Sequence, residues 1–319
     1  MLESIPSELK SDAIRLLQLL VHSERPLRLA EAREIIATEI EGESTGFDIK
    51  RRLFRESDVL DYCPSLVVVV HAADDELHLS HFSVKEYLLT NDQLKFPTAS
   101  ISITRTCLRY LTDIDGSHAK MKQNFPMARF AAEVWVGFAA SAEEVRDAAL
   151  AEAIREVLEA SVTFIEEEVT FQRWCRLYQQ DREWSDDPGP PGGSRLYYAC
   201  LGGLCETARR LLEKGADVNA KGGEYGNALC AASSGGYKEI AEMLLERGAD
   251  VNAKVRRDGN ALQAAASGGH KEVVQMLLEK GAEVNAKGGY YGNALCAASS
   301  KGHKEVVQML LEYGAEPRK

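Results

Sequence analysis

The sequence offers one short motif for nucleophilic catalysis. Gly42-Glu43-Ser44-Thr45-Gly46 matches G-x-S-x-G, the turn that presents an attacking serine in many hydrolases. Such a turn follows a strand and begins a helix, because that geometry exposes the serine hydroxyl. A helical pattern precedes Gly42, so we interpret the segment as a polar turn between helices. A serine esterase or deacylase that uses this turn stays as an alternative.

The histidines do not combine into a metal site. His78 and His81 lie in a strand-like stretch, where residues three positions apart point to opposite faces. Zinc needs further ligands, and none stands nearby in the sequence. His270 and His303 occupy equivalent positions of a repeat, so a structural role explains them better than catalysis. We therefore predict no catalytic residue, no cofactor and no metal.

Composition and charge describe an acidic globular chain. The formal net charge of −11 over 319 residues argues against general binding to nucleic acid, whose phosphates need a basic surface. No apolar stretch approaches the roughly 20 residues of a membrane-spanning helix, and the N-terminus lacks the features of a signal peptide. The seven cysteines include no C-x-x-C pair, which favours reduced thiols. We expect an intracellular, cytoplasmic protein that binds neither nucleic acid nor membrane.

Charge and composition change along the chain. Residues 1–95 contain 11 basic and 18 acidic residues, residues 96–187 contain 10 and 16, and residues 188–319 contain 17 and 15. The sign of the charge reverses near SDDPGPPGGS at 185–194, where proline and glycine stop helices. We predict three regions with these bounds: an N-terminal domain, a helical spacer and a C-terminal domain.

The C-terminal region repeats itself every 33 residues. GNALCAAS begins at Gly226 and at Gly292, and GNALQAAA begins at Gly259 between them. A second series, of Gly-Ala pairs, keeps the same step. With a weaker first copy there are four repeats, at about 188–220, 221–253, 254–286 and 287–319.

Each repeat predicts a pair of helices. Favourable N-caps for a short first helix stand at Asn227, Asn260 and Asn293. The second helix, KEVVQMLLEKG in one copy, carries one apolar stripe and closes on glycine. This pattern resembles the ankyrin repeat, a β-turn followed by two helices.

The resemblance implies a stacked scaffold that binds other proteins and has no chemistry of its own. One departure is the T-P-L-H opening of the family, whose histidine bridges repeats and is replaced here by Cys230, Gln263 and Cys296. We therefore expect the ankyrin fold with a weaker polar network between repeats.

The turn tips are our candidate binding surface, because they differ among the copies while the framework does not. They read GGEYG at 222–226, VRRDG at 255–259 and GGYYG at 288–292. Tyrosine and arginine are enriched at binding hot spots, although tip side chains can also be merely solvated. The residues predicted to contact a protein partner on the concave face are Glu224, Tyr225, Arg256, Arg257, Asp258, Tyr290 and Tyr291.

The N-terminal 95 residues show the pattern of a winged-helix domain. The predicted elements are helices over 7–21, about 29–40 and near 49–60, and strands over 65–71 and 77–81. Ser83 is expected to cap a further helix, with Glu86 completing a capping box. Helices followed by a two-stranded ribbon and another helix are typical of a winged helix.

Three stretches of this region, IRLLQLLVHSERPLRLAEA, CPSLVVVV and LHLSHFSVKEYLL, resemble a known winged helix. That domain follows the NACHT NTPase in fungal NLR-like (STAND) proteins with ankyrin repeats, and it is named after GPI inositol-deacylases without implying their activity. The resemblance implies a regulatory module that packs against an NTPase domain. The P-loop of such an NTPase, G-x-x-x-x-G-K-[ST], is absent from this sequence. We expect the NTPase on another chain, or upstream of a truncated gene model.

A winged helix can also bind DNA, and this region carries one small basic face. The face consists of Lys50, Arg51, Arg52 and Arg55. The acidic excess of the domain opposes phosphate contacts, and docking to a neighbouring acidic domain explains the face equally well. A winged-helix DNA-binding regulator therefore stays as a second alternative.

Together these patterns predict a mostly α protein: a winged-helix domain with a small β-ribbon, a helical spacer and an ankyrin-repeat α-solenoid. Its predicted function is that of a non-catalytic module for protein interaction and regulation. The last repeat ends at EYGAEPRK, and repeat arrays need polar end caps. We therefore expect faster hydrogen exchange at Val306–Leu311 than at the equivalent Val273–Leu278.

Overall fold

A computed structural model describes residues 2–41, 45–71, 74–182, 189–255 and 259–317. The chain divides into two units, Met1–Leu177 and Tyr178–Lys319. Both are built mainly from helices, which confirms the predicted mostly α fold. Within the described ranges, no helix combines the length and the apolar character needed to cross a membrane.

The N-terminal unit begins with the winged-helix elements. In chain order they are α1 (Lys10–His22), β1 (Leu27–Arg28), α2 (Leu29–Ile36), β2 (Thr38–Glu39), β3 (Gly46–Phe47), β4 (Val67–Val70), β5 (Glu76–Leu79) and α3 (Phe82–Leu88). An antiparallel sheet has the strand order β1-β5-β4, in which Leu77 lies opposite both Leu27 and Val69. β1, which lies between α1 and α2, therefore pairs with the β4–β5 ribbon that comes later in the chain. The buried face of α1 includes Leu16 and Leu17.

The second helix is shorter than the predicted 29–40. It ends at Ile36, and the next residues form β2, which pairs with β3 as a separate two-stranded sheet. Thr38 is buried, and its hydroxyl donates to the carbonyl of Glu34 at 2.8 Å. The end of α2 is thus set by strand pairing, which cannot be predicted from the apolar pattern of the helix.

The helical piece predicted near 49–60 is interrupted. It consists of two 3-10 helices, at Ile49–Arg51 and Glu56–Asp61. Arg52 between them has an extended ψ of 132°, and its guanidinium lies 2.6 Å from the buried carboxylate of Glu34. The backbone therefore leaves the helical conformation at the residue whose side chain turns inwards.

The cap of α3 also differs from the prediction. The helix begins at Phe82, one residue before the predicted cap Ser83. His81 is the N-cap in an extended conformation, and its Nδ1 accepts the backbone N–H of Ser83 at 3.2 Å. An imidazole nitrogen therefore takes the role that the capping-box pattern assigns to the Ser83 hydroxyl.

The rest of this unit is helical, as predicted. It consists of α4 (Phe96–Asp113), α5 (His118–Asn124), α6 (Ala128–Glu144), α7 (Ala151–Glu166) and α8 (Glu168–Leu177). Trp135 and Trp174 are fully buried, with ring centroids 5.0 Å apart. The Trp174 Nε1 donates to the carbonyl of Ala132 at 2.9 Å, so this indole is both packed and hydrogen-bonded.

The second unit is a run of helix pairs. The pairs are α9 (Arg195–Leu201) with α10 (Cys205–Glu213), α11 (Ala228–Gly235) with α12 (Lys238–Glu246), α13 (Ala261–Gly268) with α14 (Lys271–Glu279), and α15 (Ala294–Lys301) with α16 (Lys304–Glu312). The predicted N-caps are confirmed, because the N–H three residues ahead is accepted at 2.8–2.9 Å by the side chains of Asn227, Asn260 and Asn293. A left-handed glycine follows each of α11, α13 and α15, where a Cβ would be strained.

Candidate partner-binding surface

The three turn tips are closed in the same way at their ends. In each tip the first residue donates its N–H to the carbonyl of the fifth, at 3.0–3.1 Å; the pairs are Gly222–Gly226, Val255–Gly259 and Gly288–Gly292. The fifth residue has φ between +83° and +87°. A Cβ at Gly226 would also collide with the Val255 side chain of the next tip. Glycine is therefore required there by the left-handed backbone and by the close neighbour.

The first tip is fastened to a buried polar network. Asp181 is 5% exposed and accepts hydrogen bonds from the Tyr197 hydroxyl at 2.6 Å and from the Glu224 N–H at 2.9 Å. The Tyr197 oxygen accepts the Tyr225 N–H at 3.3 Å, and the Glu224 carboxylate lies 3.2 Å from Arg182 Nε. Burial and the hydrogen bond to Asp181 raise the pKa of Tyr197, which keeps its hydroxyl a donor. The two predicted contact residues of this tip are half-buried and held internally.

The third tip presents an aromatic side chain outwards. Tyr290 is 83% exposed, whereas Tyr291 is half-buried. Their rings are perpendicular, at 89°, with centroids 5.0 Å apart. Edge-to-face contact restrains both side chains, so less conformational entropy is lost when a partner covers them.

Of the second tip, the structure describes the two ends. Val255 forms a β-bridge with Gly259, whereas Arg256, Arg257 and Asp258 lie outside the described residues. The four described contact residues thus stand on the first and third members of a row of equivalent tips.

One set of polar contacts between repeats comes from asparagines that the sequence analysis did not single out. Asn219 donates from Nδ2 to the Gly248 carbonyl at 3.0 Å and accepts the Asp250 N–H at 3.0 Å. Asn252 and Asn285 make the same pair of bonds one and two repeats later. A ladder of three asparagines therefore links successive repeats. The ladder could have been predicted from the sequence, because this asparagine also recurs every 33 residues.

The repeat histidines have the structural role that their spacing indicates. His270 Nε2 lies 2.8 Å from the carbonyl of Ser234, and His303 Nε2 lies 3.0 Å from that of Ser267, each in the preceding repeat. Each ring also covers a left-handed glycine of that repeat, which has no Cβ to obstruct it. These imidazoles therefore contact the turn between the two helices of the preceding repeat and support the stacking of the repeats.

In the N-terminal unit, part of the predicted basic face is paired with acidic residues of the same unit. Arg52 lies against the fully buried Glu34, which also accepts the hydroxyl of Tyr110 on α4 at 2.8 Å. Arg51 lies 3.1 Å from Glu39. Burial, together with the negative charge of Glu34, raises the pKa of Tyr110. Two arginines of the face, Arg51 and Arg52, are thus engaged in ion pairs within the unit.

The same unit exposes two large aromatic side chains. Phe54, between the two 3-10 helices, is 94% exposed, and Phe82 at the start of α3 is 73% exposed. Aromatic residues are enriched in protein interfaces, where their burial contributes much of the affinity. Phe54 and Phe82 are therefore candidate contacts of the winged helix with another protein.

The sequence analysis considered the G-x-S-x-G segment for catalysis, and His78 and His81 for metal binding. Gly42, Glu43 and Ser44 of the G-x-S-x-G segment lie outside the described residues. His78 Nε2 lies 2.9 Å from a Glu76 oxygen, whereas His81 caps α3. In the part of the chain that the structure describes, no three His, Cys, Asp or Glu side chains are placed to hold a metal ion.

Family comparisons match both parts of the chain. Residues 2–107 match the family model described as GPI inositol-deacylase, winged helix domain. Residues 192–223, 228–278 and 254–319 match models of ankyrin repeats. The chain therefore contains ankyrin repeats and a winged helix domain of the GPI inositol-deacylase type.

Among curated proteins, the azaphilone pigments biosynthesis cluster protein L of Monascus ruber is similar to this chain. The two are 36% identical over 261 residues, which is 72% of this chain and 53% of the relative. The chain thus spans about half the length of that relative, so the similarity concerns the shared part alone.

Proposed function

We propose that this chain is a non-catalytic module for protein interaction and regulation, in which the row of turn tips binds a protein partner. The proposed contacts are Glu224, Tyr225, Arg256, Arg257, Asp258, Tyr290 and Tyr291. The observation that carries the proposal is the third tip, an ordered loop that holds an exposed tyrosine against a half-buried one. Ankyrin arrays offer an extended concave surface for such contacts.

The two described tips support different parts of the binding. The Tyr290 side chain is exposed and can enter a pocket of the partner, so it serves as the anchor. The backbone of Glu224 is fixed by Asp181 and that of Tyr225 by the Tyr197 hydroxyl, so these residues add contacts at the rim at little entropic cost. Replacing Tyr290 should therefore reduce affinity more than replacing Glu224.

The experiment uses the full chain as bait in source cells, followed by purification of the captured protein and titration. Tyr290→Ala with Tyr291→Ala is expected to weaken binding at least about tenfold, because hot-spot tyrosines contribute about 2 kcal/mol or more. Matched controls are Gln275→Ala and Gln308→Ala, whose amides donate to Glu279 and Glu312 of their own helices. Equal affinity of the tip variant and the wild type would contradict the proposal.

We further propose that the winged helix docks onto an NTPase domain, as the regulatory part of a fungal NLR-like protein in the cytoplasm. The exposed Phe54 and Phe82 and the resemblance to the domain that follows NACHT NTPases support this. Phe54→Ala with Phe82→Ala should abolish co-purification of a P-loop NTPase while leaving the tip partner bound. Recovery of no such NTPase by the wild-type chain would count against it.

The similarity to a biosynthesis cluster protein directs the search for the partner. Proteins encoded beside this chain are the first candidates, since genes of a cluster act together. Hydrolysis of an acyl ester or of ATP by the purified chain would instead favour catalysis. Salt-dependent duplex binding that is lost in Arg51→Ala would favour the DNA-binding alternative.

A further inference from the structure

One edge of the winged-helix sheet is unpaired. β4 lies at the end of the strand order β1-β5-β4, so β5 covers one of its sides and no described strand pairs with the other. Such an edge presents backbone N–H and C=O groups to any further strand, and natural proteins usually protect it with charge, proline or a bulge. β4 has none of these protections, because its four residues are all valine and its register with β5 is continuous.

The pairing with β5 shows which backbone groups of β4 point to the free side. Ser80 donates its N–H at 2.9 Å to the carbonyl of Leu66, the residue before β4. In an antiparallel pair such bonds recur at every second residue, so the second and fourth valines of β4 bond to β5. The N–H and C=O groups of Val67 and Val69 therefore point away from β5. Within the described ranges these outward groups have no hydrogen-bond partner.

The side chains of β4 differ between its two faces. Val67 is 6% exposed and belongs to the core, whereas Val68 and Val70 are 40% and 43% exposed. No Asp, Glu, Lys or Arg occurs from residue 62 to residue 73, although the N-terminal 95 residues are acidic overall. A neutral, apolar strand is therefore the chemistry that fits this edge.

We propose that the edge binds β4 of a second copy of this chain, in an antiparallel pair about a twofold axis at Val69. Val69 then exchanges two N–H···O bonds with its symmetry mate, and these use backbone groups that otherwise lack partners. On the exposed face Val68 lies opposite Val70 of the second copy, so the four valines cover one another. In this register the acidic residues 74–76 lie opposite the uncharged residues 62–64, so like charges do not meet.

The sequence of β4 favours a second copy over an unrelated strand. Four identical valines present the same side chains in both directions, so the strand is complementary to itself when it is turned antiparallel. Another protein would have to supply an uncharged apolar strand of its own. Two short strands cover less than the ~1,600 Å² of a standard interface, so the pairing is weak and requires a high protein concentration.

Sedimentation equilibrium of the full chain tests the pairing. The mass of the wild type should rise from 35.1 kDa towards twice that value between about 10 µM and about 500 µM. Val68→Glu and Val70→Lys each place a charge opposite a valine and should weaken association at least about tenfold. Val169→Lys, at an exposed valine of α8, is the control and should associate as the wild type does.

The double variant Val68→Glu with Val70→Lys tests the register. Each glutamate then lies opposite a lysine of the second copy, so the double variant should regain the association that both single variants lose. In a pair centred on Val68 the two glutamates would instead face each other, and association would stay weak. A wild type that is monomeric at all these concentrations overturns the proposal, as does a double variant that associates no better than the single ones.

Hydrogen exchange of the wild type gives a second measurement that needs no variant. The Val69 amide should exchange at least about tenfold more slowly in the concentrated sample, because pairing gives it an acceptor. The Val68 amide bonds to β5 and should exchange slowly in both samples. A rise in mass without protection of Val69 would place the contact elsewhere and overturn the proposal. Protection of Val69 only by an added valine-rich peptide would assign the edge to another protein, which also overturns it.

Discussion

Glu34 shows how one buried carboxylate joins segments that are far apart in sequence. Its charge is met by the Arg52 guanidinium and the Tyr110 hydroxyl, which come from the loop after the first 3-10 helix and from α4. Arg52 also donates to the carbonyl of Asn124 at 2.7 Å. The sequence identified the basic residues near Arg52. It could not identify their counter-ion, because the apolar period of α2 does not reveal a carboxylate on its buried face.

Arg52→Met is expected to lower the free energy of unfolding by about 3–5 kcal/mol, since Glu34 would remain as an uncompensated buried charge. The control is Arg28→Met, which removes an exposed pair with Asp74 at 3.3 Å and should cost less than about 1 kcal/mol. Urea denaturation measures both variants. Small and equal losses would show that the Glu34 carboxylate is hydrated in solution.

Cys63 gives the protein a dependence on alkaline pH. The thiol is fully buried, and burial raises its pKa from 9.0 to about 12. The unfolded thiol ionises first, so the stability that this group contributes is complete below pH 9 and is lost as the pH rises towards 12. For this group alone, the free energy of unfolding should fall by about 1.4 kcal/mol between pH 7 and pH 10.

Thermal or urea unfolding at several pH values, with Cys63→Ala beside the wild type, measures this contribution. In Cys63→Ala the free energy of unfolding should fall less between pH 7 and pH 10 than in the wild type. Cys296→Ala, at a half-buried thiol, is the control and should show the same fall as the wild type. Parallel pH profiles for Cys63→Ala and the wild type would mean that the Cys63 thiol is accessible to solvent.

Helix ends show which elements local sequence determines. In the repeats, Asn227 and its equivalents cap their helices as predicted, because the bond to the N–H three residues ahead is local. In the winged helix, α2 ends at Ile36 because β2 pairs with β3, and α3 takes its cap from His81. Strand pairing is a tertiary contact, and the apolar period within a helix does not encode it.

We expect the asparagine ladder to stabilise the contact between neighbouring repeats. Asn252→Ala removes two bonds to the next repeat, at 2.9 and 3.1 Å, and should lower the free energy of unfolding by about 1–2 kcal/mol. Gln275→Ala removes a bond within α14 and should change it by less than about 0.5 kcal/mol. Urea unfolding followed by circular dichroism compares the two variants. An equal effect of both would show that the ladder does not couple the repeats.

At the scale of the whole molecule, the 33-residue period predicts the repeated helices well. It predicts less of the contacts that hold the candidate binding surface. Each repeat contacts only its neighbours, so a 33-residue step is enough to predict paired helices and tips. The network that fixes the first tip depends on Asp181, which precedes the first repeat and has no periodic signal.

The central claim is that the turn tips form a partner-binding surface, and hydrogen exchange of the full chain with its purified partner tests it most directly. We predict slower exchange at the tips, including the Tyr290 and Tyr291 amides, and unchanged exchange in the second helices α12 and α14. Slower exchange confined to α12 and α14, or to the N-terminal unit, with unchanged tips would contradict the claim.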